Sequence, residues 1–148
     1  AEDDLAELIP LHTPARVYDA GNANICCLTP FARLRDAYFF RLWLAGLTPE
    51  EAGKEFFTTR RTEVSGRLSG IYEREAHGSY DAIGDEELRP LVRMYAEYAA
   101  LPLEQKLTRW PLTHVALPRT TPETPPLRSV LGTAPPVYED GAYRLWEL

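Results

Sequence analysis

Residues 44–56 read LAGLTPEEAGKEF, and the way this stretch breaks decides how the chain is built. An apolar segment ends at Gly46, the residue type best suited to the left-handed conformation that closes a helix. Thr48, Pro49, Glu50 and Glu51 then form a T-x-x-E capping box with proline at the first helical position. One helix stops and another starts within a few residues, which sets the two at a steep angle.

Working outward, Phe31, Leu34, Tyr38, Leu42 and Ala45 fall on one stripe at helical spacing. Phe39, Phe40, Trp43 and Leu44 fill most of the remaining circumference. The spacing predicts a helix over 31–45, started by Thr29 and Pro30 and apolar nearly all round, hence central or covered by a partner. The second helix is expected to run to about Phe57. "TTRR" breaks it, and a third helix is expected over 62–76. After the turn-rich HGSYDAIGD, Asp85 is placed as the cap of a fourth helix that buries Leu88, Leu91, Tyr95, Tyr98 and Leu101. Pro90 sits early enough in it to shift its start or kink it.

The two ends differ from this middle. ARVYDAGNANICCL (15–28) reads as a short irregular hairpin. Eight of the thirteen prolines lie from residue 102 onward, so 102–136 reads as a Pro-rich extended segment. Residues 137–148 read as a hairpin turning at Asp140-Gly141, which sets Tyr138 opposite Tyr143. The expected architecture is mainly α, of the α+β class. It is one domain over 1–148 with a helical core at 30–101, plus a small antiparallel sheet or hairpins from the two chain ends.

Hydrophobic residues make up 45% of the 148, and 22 acidic against 16 basic residues give a net charge of −6. A nucleic-acid binder of this charge has to gather its cations on one face, because the whole-molecule field repels phosphate. No run approaches the roughly 18 apolar residues that span a bilayer. The acidic start AEDDLAELIP lacks the pattern of a signal peptide. Cys26 and Cys27 are adjacent and read as small buried hydrophobes rather than a bridge. A reduced, cytoplasmic protein is expected.

Residues 46–72, GLTPEEAGKEFFTTRRTEVSGRLSGIY, carry a further pattern. Gly46-Leu47-Thr48 opens the corner, and Ala52-Gly53 supplies a small pair. Phe56 takes the apolar position before the turn, and Val64, Leu68, Ile71 and Tyr72 line the inward side of the third helix. This pattern resembles the helix-turn-helix of LuxR-type regulators and the promoter-reading domain of sigma factors, with one residue more than usual between Gly46 and Val64.

The resemblance implies a DNA-binding transcriptional regulator with its helix-turn-helix at about 46–76, acting as a monomer or a dimer and contacting double-stranded DNA. Arg60, Arg61, Arg67 and Arg74 then hold phosphates, while Thr62, Ser65 and Ser69 lie near base edges. Arg33, Arg35 and Arg41 on the first helix are further candidates for the DNA backbone. A rival reading starts from the same helix: Gly66 and Gly70, spaced i, i+4, form with Thr62 a small-residue groove for close packing. On that reading the chain is a non-enzymatic protein-interaction module, an adaptor or a regulator of a larger machine, or it self-associates, and the corner is structural.

Neither reading calls for a cofactor, a metal or a catalytic residue. His12, His77 and His114 have no paired ligand spacing. The acidic groups Glu50-Glu51 and Asp85-Glu86-Glu87 suit helix starts.

Overall fold

The computed structural model describes residues 30–68, 83–110 and 112–148. These hold six helices: α1 (Phe31–Leu44), α2 (Pro49–Glu55), α3 (Arg61–Leu68), α4 (Asp85–Ala99), α5 (Leu103–Thr108) and α6 (Pro125–Leu131). Three strands, β1 (His114–Pro118), β2 (Tyr138–Glu139) and β3 (Tyr143–Glu147), complete a mainly helical α+β fold. The expected N-terminal hairpin, Cys26 and Cys27 lie outside the described residues.

The all-round apolar helix is central. Residues 36–40 of α1 are buried without interruption, and α1 packs on α3, α4 and α6. Phe39 meets Tyr95 of α4 edge-on at 5.3 Å between ring centroids and Tyr98 at 5.9 Å. Edge and tilted contacts of this kind place ring hydrogens against π faces, which adds to the area the rings bury.

The corner forms as the sequence reads. Gly46 takes φ +85°, and the N–H groups of Gly46 and Leu47 donate to the carbonyls of Trp43 and Leu42 at 2.9 and 3.1 Å. That double bond is a Schellman ending. The Glu51 N–H donates to Thr48 Oγ1 at 3.2 Å, and the Thr48 N–H donates to the Glu51 carboxylate at 2.8 Å. These backbone and side-chain bonds hold the Glu51 carboxyl below its ordinary pKa.

The rest of the molecule then closes on this corner. The Tyr95 hydroxyl donates to the Leu47 carbonyl at 2.6 Å, and the Thr124 hydroxyl donates to the Leu44 carbonyl. Thr124 also accepts from the Leu127 N–H at 3.2 Å, so one side chain caps α6 and ties it to the end of α1.

Several expectations need correction. α2 ends at Glu55, and a chain of turns leads directly into α3 at Arg61. Gly84, not Asp85, is the cap of α4; its N–H donates to the Glu87 carboxylate at 2.9 Å, which leaves Asp85 in the first turn. The 102–136 segment is not simply extended, since it contains α5, β1 and α6. Its prolines fit because Pro125 and Pro126 occupy the first turn of α6, where a missing N–H removes no helical bond.

The C-terminal hairpin exists with its turn moved one residue along. Tyr138 pairs with Leu145 and Glu139 with Arg144, which places Gly141-Ala142 at the tip. The cause is Asp140, whose carboxylate accepts from the N–H groups of Ala142 and Tyr143 at 2.7 and 2.8 Å and from the Tyr138 hydroxyl at 3.0 Å. An aspartate that opens a turn this way belongs before the tip and not within it. β3 is the middle strand of the sheet, with β1 on its other side and buried Val115 directly opposite buried Trp146.

Burial gives the core a pH signature. Tyr38 and Tyr95 are almost completely enclosed, and desolvation pushes both phenols well above their ordinary pKa of 10.0. A group whose folded pKa is raised contributes stability that is whole below the unfolded pKa and is lost as pH climbs toward the folded one. Folding stability is therefore expected to fall above about pH 10, at a slope approaching 2.7 kcal/mol per pH unit for the pair. Urea midpoints from pH 8 to 11 measure it, and a flat profile contradicts it.

Candidate functional site

The corner between α2 and α3 holds most of the residues singled out in the sequence. α2 packs on α4, and α3 packs on α1. Phe56, fully buried, lies between them and meets the Tyr95 ring at 5.9 Å. Val64 and Leu68 of α3 face inward, as their spacing requires.

Ser65 faces inward as well. Only 3% exposed, its hydroxyl donates to the Arg61 carbonyl at 2.7 Å and accepts from the Ile83 N–H at 3.0 Å. The strand of chain entering α4 therefore covers this side of α3, and Ser65 is not placed to reach a base edge. Thr62 is exposed, and Gly66 is half-buried. Among the described residues, nothing lies within 4 Å of a Cβ built at Gly66, so no close backbone approach uses it there. Ser69, Gly70 and Arg74 lie outside the described residues.

The arginines of the corner are engaged with the chain's own acceptors. Arg60 reaches Glu55 through Nε at 2.6 Å and Glu63 through Nη1 at 2.9 Å. Burial alone lowers the Arg60 pKa, but these two carboxylates more than reverse it and leave the guanidinium above its ordinary value. Arg41 of α1 pairs with the same Glu63. Arg61 donates from Nε and Nη2 to the Ile83 carbonyl at 3.2 and 2.9 Å, and its Nη1 meets Asp85 at 2.9 Å. Arg67 lies close enough to Tyr38 for its charge to act on that phenol. The chain Glu55–Arg60–Glu63–Arg41 links the turn, α3 and α1, while Arg61 links α3 to the start of α4.

The chain matches no protein-family model, no curated protein and no solved structure.

A second polar centre, unforeseen in the sequence, lies at the other end of α1. Asp36 is 0% exposed; its carboxylate accepts hydrogen bonds from Arg35 and Trp110 and forms an ion pair with Arg109. Arg35 Nε and Nη2 reach Oδ1 at 3.0 and 2.7 Å, while Arg109 Nε and Trp110 Nε1 each reach Oδ2 at 3.0 Å. A buried carboxylate is tolerated when its lone pairs are filled in this way. Arg33 lies over the Trp110 ring at 5.8 Å.

Beside it, the Lys106 ammonium is 4% exposed. It donates to the Ala99 carbonyl at 3.0 Å and to the Leu101 carbonyl, 4.7 Å from the centroid of the Trp43 ring. Burial lowers its pKa, and the carbonyls at the end of α4 give the charge its partners. The signal for Asp36 was that it is the single acid on this helix, but its partner Trp110 is 74 residues away. Among the described residues, no group of three or more His, Cys, Asp or Glu side chains is arranged to hold a metal ion, and no helix is long and apolar enough to cross a membrane.

Proposed function

We propose that this chain is a non-enzymatic protein-interaction module in which the α2–α3 corner is structural. The observation that carries this reading is the engagement of Arg60 and Arg61 by Glu55, Glu63, Asp85 and the Ile83 carbonyl. A phosphate contact at either residue has to displace a carboxylate already in place, in a molecule of net charge −6. Inward-facing Ser65 removes one of the side chains meant to read bases. The surface best suited to a partner is the C-terminal hairpin, where Val137 and Tyr138 are 61% and 55% exposed. Exposed tyrosine is a typical anchor of protein interfaces.

The reading is tested by titrating a labelled mixed-sequence duplex with the full chain at two salt concentrations. The expected result is no binding at micromolar protein in either. Tight binding that weakens steeply with salt, and is lost when Arg60, Arg61 and Arg67 are replaced together by Gln, restores the DNA-binding regulator.

A further inference from the structure

The Asp36 centre borders a cleft of about 190 Å³ between α1, α4 and the end of α5. Its lining includes Arg35, Asp36, Met94, Glu97, Leu101 and Arg109. We propose that this cleft binds a small monocarboxylate bearing an aliphatic tail, with its carboxylate on Arg35 and Arg109 and its tail on Met94 and Leu101. The inference stands apart from the interaction-module reading and survives its failure.

The argument starts from how the donors are used. Asp36 engages Nε and Nη2 of Arg35 but only Nε of Arg109. Arg35 Nη1 is left pointing at the Met94 thioether, 4.0 Å away. Thioether sulfur is a weak acceptor, so this donor is poorly served in a side chain only 20% exposed. Arg109 Nη1 and Nη2 carry no hydrogen bond among the described residues, and Arg109 is half-exposed at the mouth. Two guanidinium groups are thus anchored through one buried carboxylate while further N–H groups remain to serve an oxyanion. Anchoring of this kind lowers the ordering cost of binding.

Charge and volume narrow the ligand. Asp36 and Glu97 already balance the two arginines, so any anion adds negative charge beside Glu97 and a dianion adds twice as much. A single carboxylate is the better fit, because it takes bidentate geometry without a second charge. At about 190 Å³ the cleft has room for a small organic acid and not for a whole nucleotide. Met94 and Leu101 offer the tail an apolar wall.

Met94 is the only methionine in the sequence, so a ¹³C-methyl methionine label gives a single resonance inside the cleft. Hexanoate represents a free acid, and N-acetyl-leucine a blocked peptide terminus; phosphate and N-acetyl-leucinamide are the controls. The expected result is a saturable shift of the Met94 signal with a Kd on the order of 1 mM for at least one carboxylate. Arg109→Gln is expected to weaken it at least about tenfold, and Glu97→Gln to tighten it, with amide spectra showing both variants folded. Whichever carboxylate binds more tightly identifies the source. The proposal is overturned if neither carboxylate gives saturable binding below about 50 mM, far above that Kd. It is equally overturned if phosphate or the amide binds as well as the acids, or if Arg109→Gln leaves the affinity unchanged.

Discussion

Asp36→Ala is expected to lower folding stability by about 3 kcal/mol, because it removes one side of a buried charge cluster. The carboxylate accepts hydrogen bonds from Arg35 and Trp110 and pairs with the Arg109 charge. Without it the Trp110 N–H loses its acceptor, and the Arg35 guanidinium, 20% exposed, loses the carboxylate it is paired with. Arg109 is half-exposed and can turn to water, which keeps the cost below that of a fully enclosed pair.

The cluster also joins the end of α5 to α1 across a long stretch of sequence, so the loss acts on tertiary structure and not on α1 alone. In urea the midpoint should fall by a molar unit or more, with the slope little changed, since a slope of about 1–3 kcal/mol per molar is usual. Asp36→Asn retains one acceptor oxygen and should cost about half as much. A loss below about 1 kcal/mol for Asp36→Ala would show that water replaces the carboxylate at little cost.

Phe56→Ala should cost about 3–5 kcal/mol, the usual range for emptying a buried phenylalanine site. Phe56 is fully enclosed, directly follows α2, and packs against Tyr95, whose hydroxyl holds the Leu47 carbonyl at the opening of the corner. Both ends of α2 are therefore fastened to the same tyrosine.

If the corner is core architecture, the variant destabilises the whole domain, and far-UV circular dichroism and tryptophan fluorescence report one coincident, shifted transition. A corner carried as an independent reading head behaves differently. It loosens first, leaving the tryptophans near α1 and the sheet in place, and the two probes separate. Separated transitions, or a shift under about 1 kcal/mol, contradict the assignment of the corner to the core.

Local chemistry made the corner legible. A glycine that takes positive φ, a threonine with glutamate three residues on, and a proline at the first helical position each act within a few residues, so their pattern survives in the sequence. The burial of α1 was legible for a similar reason: apolar residues fill its circumference. What the sequence hid was pairing at a distance. Arg60 and Arg61 looked available for phosphate because nothing in "TTRR" shows that Glu55, Glu63 and Asp85 will stand beside them.

Ser65 lies next to Val64 on a short helix enclosed on two sides, and a wheel drawn for one buried stripe does not anticipate the second. The hairpin register moved because Asp140 bonds forward to the backbone, an effect weaker in the sequence than the Asp-Gly pair itself. Asp36 and its cleft depended on α5 and Trp110, which lie in a segment whose prolines masked two short helices.

α5 has six residues, too few to persist as a helix in water, where nucleation is costly and a single turn repays little of it. Its polar tie to α4 is the Lys106 ammonium seated on the carbonyl end of that helix, while Leu103 and Leu107 pack on the core. Order in this part of the molecule is consequently inherited. When the last turn of α4 frays, the ammonium loses its seat, and α5 is expected to loosen together with the Arg109–Trp110 end that reaches back to α1. Residues 98–110 then open as one cooperative unit ahead of global unfolding, and their amides should exchange with solvent at a shared rate.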